Sequence, residues 1–327
     1  MNPKAIRQSA GRKLQIDPDS KRIALIYAAI VTIFSLVCTL LSWSCQMGIE
    51  RNTGLSARTT RAMLESGQML LSLVSTVVLP FLQVGFLFAA LSYAKDETVT
   101  TDALKEGFRR WGPVLRLMGL MFLVITAISV ICLYAAFTVF MISPFSDSLA
   151  AQMETLMQDP QAYMATEETM QQLNDLMMPH MKWILAIFGV LFLGLGLPAL
   201  YRCRLSEYAL MDNGKGAFAA LKDSIKLTRG HVWDMLKLDL SFWWFFLLQA
   251  VLAVVAYGDQ ILPAVGVQLP VHEDVLFWAF YAVSMLGQFL ITWLFSLRYQ
   301  TAVGLLYLRL KERYFTPINP PPSSTEM

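Results

Sequence analysis

The sequence predicts an all-α, polytopic membrane protein. Three observations carry this: 56% of the 327 residues are hydrophobic, only 15% are charged, and mean hydropathy is +0.50. A soluble core of this length needs far less apolar surface. The apolar residues also fall into runs long enough to cross a ~30 Å hydrocarbon layer, for which about 20 residues suffice.

Taken in order, residues 1–22 are polar and hold Lys4, Arg7, Arg12, Lys13, Lys21 and Arg22, which reads as a cytoplasmic basic N-terminal segment. The first apolar run, Ile23 to Met47, is too long for a signal-peptide core and lacks a small-residue cleavage site, so it reads as a retained span. The second runs from Met69 to Ala94, with Pro80 as a kink and Gly85-xxx-Ala89 as a close helix contact. The third covers Val114 to Ile142. The fourth, Trp183 to Leu200, is interrupted by Gly189, Gly194, Gly196 and Pro198. The fifth occupies Met235 to Tyr257, and the sixth begins near Val275 with a helical pattern continuing to Leu310. The expected organisation is therefore a six-span membrane domain over 23–310, followed by a Pro-rich, polar cytoplasmic tail over 311–327.

Loop charges orient the chain. Segments 1–22, 95–112, 201–230 and 298 onward carry 20 Lys or Arg, whereas the loops between them on the other side carry 3. The positive-inside rule then places both termini in the cytoplasm. The total net charge of +2 carries no such information.

The stretch from Tyr201 to Phe246 is the most structured part of the basic side. It turns at Asp212-Asn213-Gly214 and continues with about four helical turns. At about 100° per residue, Phe218, Leu221, Ser224, Ile225 and Thr228 share one side, and Lys215, Lys222, Lys226 and Arg229 crowd an arc beside it. Such a helix lies on a membrane, its apolar face in the acyl boundary and its basic edge on anionic headgroups. Thr101–Leu117 and Ala219–Leu238 share an Ala-Leu-Lys-acid start, basic residues, a Gly and a Leu-basic-Leu end. In the first copy Leu104, Phe108 and Trp111 make the apolar stripe. Two interfacial amphipathic helices and a parallel internal repeat follow, with an unrelated shared composition as the alternative.

Leu221-xx-Ser224, Gly230 and Leu236-x-Leu238-x-Leu240-Ser241-Phe242-x-Trp244 resemble the signature of the domain-of-unknown-function 975 family of bacterial integral membrane proteins. Tyr208-Ala-Leu-Met-Asp212 and Tyr299-xx-Ala302-xxxx-Tyr307 look similar to flanking parts of that family, with Arg298 standing where its pattern has proline. The resemblance implies a six-span multi-pass protein of the bacterial cytoplasmic membrane and supplies no activity or catalytic residue.

The outer loop, 143–181, is acidic and Met-rich. It holds Asp147, Glu154, Asp159, Glu167, Glu168 and Asp175, with no Lys or Arg, and its periodicity predicts a helical hairpin broken at Asp159-Pro160. Met177, Met178, His180 and Met181 suit a soft ion such as Cu(I), but methionine at helical spacing is ordinarily packing, and no metal or other cofactor is expected. Cys38, Cys45, Cys132 and Cys203 form neither a disulfide framework nor a CxxC site.

No catalytic motif is present: there is no HExxH, GxSxG, P-loop or Rossmann fingerprint, and His180, His231 and His272 are isolated. Coupled transporters place acids or histidines in mid-membrane, and none falls there. The central polar residues are Gln83, Gln249 and Gln288, with Ser35 and Thr39 in the first span. They suit either a polar path or interhelical hydrogen bonds. The expected function is non-catalytic: a membrane-organising, lipid-contacting or partner-binding protein. Its partners are anionic membrane lipids and a protein partner or second copy, with no nucleic acid. An uncoupled permease or lipid transporter is the alternative, and a membrane-embedded enzyme comes third.

Overall fold

The computed structural model describes residues 2–51, 58–143, 146, 167–214, 216–264 and 273–315. Every regular element among them is helical. Five helices are long and apolar enough to cross a membrane, or six if one bent pair counts as a span. These helices are compatible with an integral membrane protein. The chain divides into two compact units, one formed by 1–115 with 205–327 and the other by 116–204.

The larger unit starts with α1 (Pro3–Ile16), so the basic N-terminal segment is folded. Its signals are local: Pro3 occupies the first turn and the Asn2 side chain accepts from the Lys4 and Ala5 amides. Ile6 and Ala10, one turn apart, are buried, and Leu14 one turn further packs against the core, so a polar helix is docked by a narrow apolar row. A tight turn, with the Ser20 hydroxyl donating to the Leu14 carbonyl, leads into α2 (Asp19–Arg51). Next comes α3 (Arg58–Ala94), with Pro80 inside it. At 1.5 Å per residue these helices of 33 and 37 residues run about 50 and 55 Å, well beyond a ~30 Å hydrocarbon layer.

A 3-10 turn (Thr101–Lys105) and one α-turn, α4 (Glu106–Arg109), then lie across α3. Backbones touch there. A Cβ built on Gly85 would stand 2.2 Å from the Leu104 carbonyl oxygen, and one on Gly107 2.0 Å from that of Phe81. The close contact expected at Gly85 is thus made to this connector, with Ala89 in the same buried cluster as Ala103 and Leu104.

Helix α5 (Trp111–Ile142) begins in this unit and continues in the smaller one. There α6 (Glu167–Leu191) passes through a π-turn (Phe192–Gly196) into α7 (Leu197–Cys203). Cys132, Ala136 and Phe140 make a buried stripe on α5, and the Phe140 ring meets His180 edge-on. Of the expected outer hairpin, the second arm is the start of α6 and runs unbroken into the span. Residues 144–166 other than Ser146 lie outside the described residues, as do 316–327 of the tail.

The larger unit resumes with α8 (Ser206–Asn213), closed by Gly214 at φ +60, and then α9 (Ala217–Thr228) and α10 (Val232–Ser241). Gly230, at φ +80, turns the chain between the last two. The fifth span is not straight: α10 and α11 (Trp243–Ala256) meet at 70°. No Pro or Gly causes this bend. It is held by polar contacts to the freed backbone, the Arg7 guanidinium donating to the Ser241 carbonyl at 2.5 Å and the Ser241 hydroxyl to that of Leu238. Beside it, Tyr299 donates to Asp239 at 2.9 Å, and Phe242 and Phe245 pack on the Tyr299 ring. A short α12 (Gly258–Ala264) follows, and α13 (Glu273–Ile291), a second π-turn (Thr292–Ser296) and α14 (Leu297–Phe315) complete the unit, these last three as one long helical run, as the periodicity of the sixth span predicts.

Burial is uneven along the long helices. The packed core gathers where the basic segments are: Phe86 to Ala94 on α3, Tyr208 to Met211 on α8, and Ala302 to Leu310 on α14. Towards their other ends α2 and α3 expose Ile33, Leu41, Met63 and Leu70, apolar surface that acyl chains would cover.

Candidate lipid-facing site

Helix α9 sits on the basic side of the larger unit, packed against α8 and α14. Ala217, Ala220, Leu221, Ser224, Leu227 and Thr228 are buried, and the Thr228 hydroxyl returns to the Ser224 carbonyl. This corrects the expected lipid-facing stripe. Leu221, at 6% exposure, belongs to the protein interior with Ser224 and Thr228, because the small side chains beside it let α9 approach its neighbours closely. What remains outward is Phe218 (72% exposed) and Ile225 (42%), flanked by exposed Lys222, Lys226 and Arg229. Residues 218, 222, 225 and 229 lie one above another at i, i+4, i+7 and i+11. Two apolar side chains in a frame of three cations match an interfacial face, which buries a short distance into the headgroup boundary. Lys215 lies outside the described residues.

The connector copy divides in the same way: Leu104 is buried, while Phe108 and Trp111 stay exposed. Its helical part is a 3-10 turn and one α-turn, whereas α9 is 12 residues of regular helix, so the two segments differ in form.

Asp212 anchors this layer. Its carboxylate is almost entirely buried and takes Lys95 Nζ at 2.6 Å from the end of α3, and Lys311 Nζ at 2.5 Å and the Tyr307 hydroxyl at 2.9 Å from α14. Tyr208, one turn earlier, stacks on Tyr307 and donates to the Gln300 carbonyl. The Arg110 guanidinium donates to the Met211 carbonyl. One acid therefore ties α3, α8 and α14 together and holds α9 at the surface. This gathers Tyr208, Asp212, Leu221, Ser224, Leu238, Phe242, Tyr299, Ala302 and Tyr307, residues of the family-like motifs, into the buried interior. Spacing did not signal this hub, since Lys95, Asp212 and Lys311 are each over 95 positions from the next.

Gln83 and Gln288 are exposed and Gln249 is half-buried; none lines either of the two cavities described here. The larger of these, about 580 Å³, lies between α2 and α3 away from the basic side and is lined by polar groups including Thr39, Ser42, Glu65, Gln68, Ser72 and Ser75. Gln68 reaches the Ser42 hydroxyl at 3.3 Å, and Tyr281 donates to Thr39 at 2.8 Å. Sequence reasoning had singled out Thr39 but not the serines opposite it, which read as ordinary helix-compatible polar residues. Among the described residues no group of three or more His, Cys, Asp or Glu is placed to hold a metal ion. His272 and Met177 lie outside the residues whose side chains are described.

Comparison with family models, curated proteins and solved structures returns no match for this chain, so what it does is argued from its own residues.

Proposed function

We propose that this protein is a non-catalytic, membrane-organising and lipid-contacting component of the bacterial cytoplasmic membrane, with both termini inside, and that its basic layer selects anionic lipid. The carrying observation is the outward face of α9, where Phe218 and Ile225 stand among Lys222, Lys226 and Arg229. Each cation near an anionic leaflet contributes on the order of 1 kcal/mol, so three give roughly 3 kcal/mol before salt screening. Kinship with the domain-of-unknown-function 975 family belongs to this proposal and rests on the motif residues in the buried layer.

An environment-sensitive fluorophore on a Phe218→Cys variant tests it in nanodiscs of the full chain. Emission should shift to the blue, and lipid-borne quenchers should reach the probe, far more in anionic than in zwitterionic bilayers. Equal signals in both would reduce the face to solvated surface.

A second reading, an uncoupled permease or lipid transporter, is favoured by the polar groove between α2 and α3. Uptake by proteoliposomes that fails when Ser42 and Ser72 are replaced by Leu would support it.

A further inference from the structure

Resting on the lipid-contacting reading, we infer that a second, discrete site holds the phosphate of a single membrane phospholipid where α1, the start of α2 and the π-turn before α14 meet. The site is a pocket of about 160 Å³ lined by Gly11, Gln15, Ser20, Lys21, Trp293 and Arg298, with Leu14, Ala24, Leu294 and Leu297 completing it.

Charge comes first. Two of the lining side chains are cationic and none is acidic. Arg298 makes no hydrogen bond or ion pair among the described residues, and its Nε is buried without a partner. An unpaired guanidinium in a half-buried pocket lacks the bonds that normally offset its desolvation. Its planar fork suits the two oxygens of a phosphate.

The surroundings fix where that phosphate comes from. Gly11 carries the guanidinium on its bare backbone: a Cβ there would stand 2.9 Å from Arg298 Nη2 and 3.1 Å from Cζ. Trp293 and the exposed Leu294 form an apolar edge next to the charged end, the amphipathic arrangement of a headgroup boundary. The volume lies below the roughly 300–1,000 Å³ of a site that encloses a drug-sized molecule. It takes a headgroup, and the acyl chains run outside along Leu294. Basic pockets between spans on the inner side are established headgroup sites in other membrane proteins. The π-turn at Thr292–Ser296 sets the rotation of Arg298 relative to the span, a local device common at functional sites.

The test is native mass spectrometry of the full chain purified in mild detergent. Wild type and the triple variant K222Q/K226Q/R229Q should each retain one phospholipid per chain. R298Q should retain about tenfold less, the effect of one lost charge-assisted contact on an equilibrium. G11A, which pushes the guanidinium aside while keeping its charge, should fall as R298Q does, and R298K should lie between. The same retained lipid in R298Q as in wild type overturns the inference, as does wild type that holds none after phosphatidylglycerol is added. Should R298Q fail to fold, G11A and R298K decide in the same way. A second arm separates the sources of phosphate: a short-chain phosphatidylglycerol should raise the melting temperature of delipidated protein and inorganic phosphate should not. Equal effects would make this a free-anion site and refute the lipid assignment. Loss of the Phe218 probe response with the single lipid retained would sink the α9 reading and leave this one standing.

Discussion

Replacing Asp212 by Asn isolates the charge at the centre of the basic layer while leaving an acceptor for Tyr307. Removing one partner from a buried ion pair costs about 3–5 kcal/mol when the other charge has no water. Here Lys95 and Lys311 are 30% and 33% exposed, so solvent takes up part of the loss, and a cost of about 2 kcal/mol is expected. Asp212→Ala also removes the Asp212 acceptor from the buried Tyr307 hydroxyl, adding about 1 kcal/mol. The assay is SDS titration in mixed micelles followed by the fluorescence of the native tryptophans. Lys95→Met alone should cost about 1 kcal/mol, because Lys311 and Tyr307 still hold the carboxylate. In the double variant with Asp212→Asn the two losses should fall short of adding, by about 1 kcal/mol, as expected for groups in direct contact. Wild-type stability in Asp212→Asn, or strict additivity, would refute the idea that this carboxylate ties α3, α8 and α14 together.

Gly85→Ala should be severely destabilising, about 3 kcal/mol or more, because its Cβ meets backbone at 2.2 Å and helix and connector cannot both stay in place. Gly112→Ala, which meets nothing within 4 Å, is the control and should be neutral in the same titration. Arg7→Ala should leave the Ser241 carbonyl at the bend without its charged donor, costing about 1.5–3 kcal/mol and accelerating hydrogen exchange of the Phe242 and Phe245 amides. Unchanged exchange would mean that the aromatic cluster holds the bend alone. For orientation, a cysteine at Thr166 in a chain lacking its four native cysteines should react with an impermeant thiol reagent from outside, and one at Ser323 should not; the opposite labelling would invert the topology.

Much of this molecule is a direct consequence of local sequence. Apolar runs of spanning length appear as long helices, the turn at Asp212-Asn213-Gly214 appears with Gly214 at φ +60, and the small residue at 85 marks a backbone contact. These features depend on composition and on neighbours within a few residues, which periodicity reports. Helix α1 carries a start signal in Asn2-Pro3 and a short apolar row, Ile6, Ala10 and Leu14 at i, i+4 and i+8, but among so many charged residues that the segment reads as polar. In α9, by contrast, apolar residues occupy positions 217–221, 225 and 227, nearly all around the axis. Periodicity therefore could not choose between Leu221 and Phe218 as the covered side; small neighbours that fit against α8 and α14 chose Leu221. The 70° bend lies within an unbroken apolar run, and the side chain that supports it, Arg7, comes from the other end of the chain. Asp212 with Lys95 and Lys311, and Gly11 with Arg298, are likewise pairings of distant segments. Helix formation and membrane partition are decided residue by residue along the chain, whereas which face is covered, where a freed carbonyl finds a donor and which charges share a pocket depend on contacts that exist only once the helices have packed.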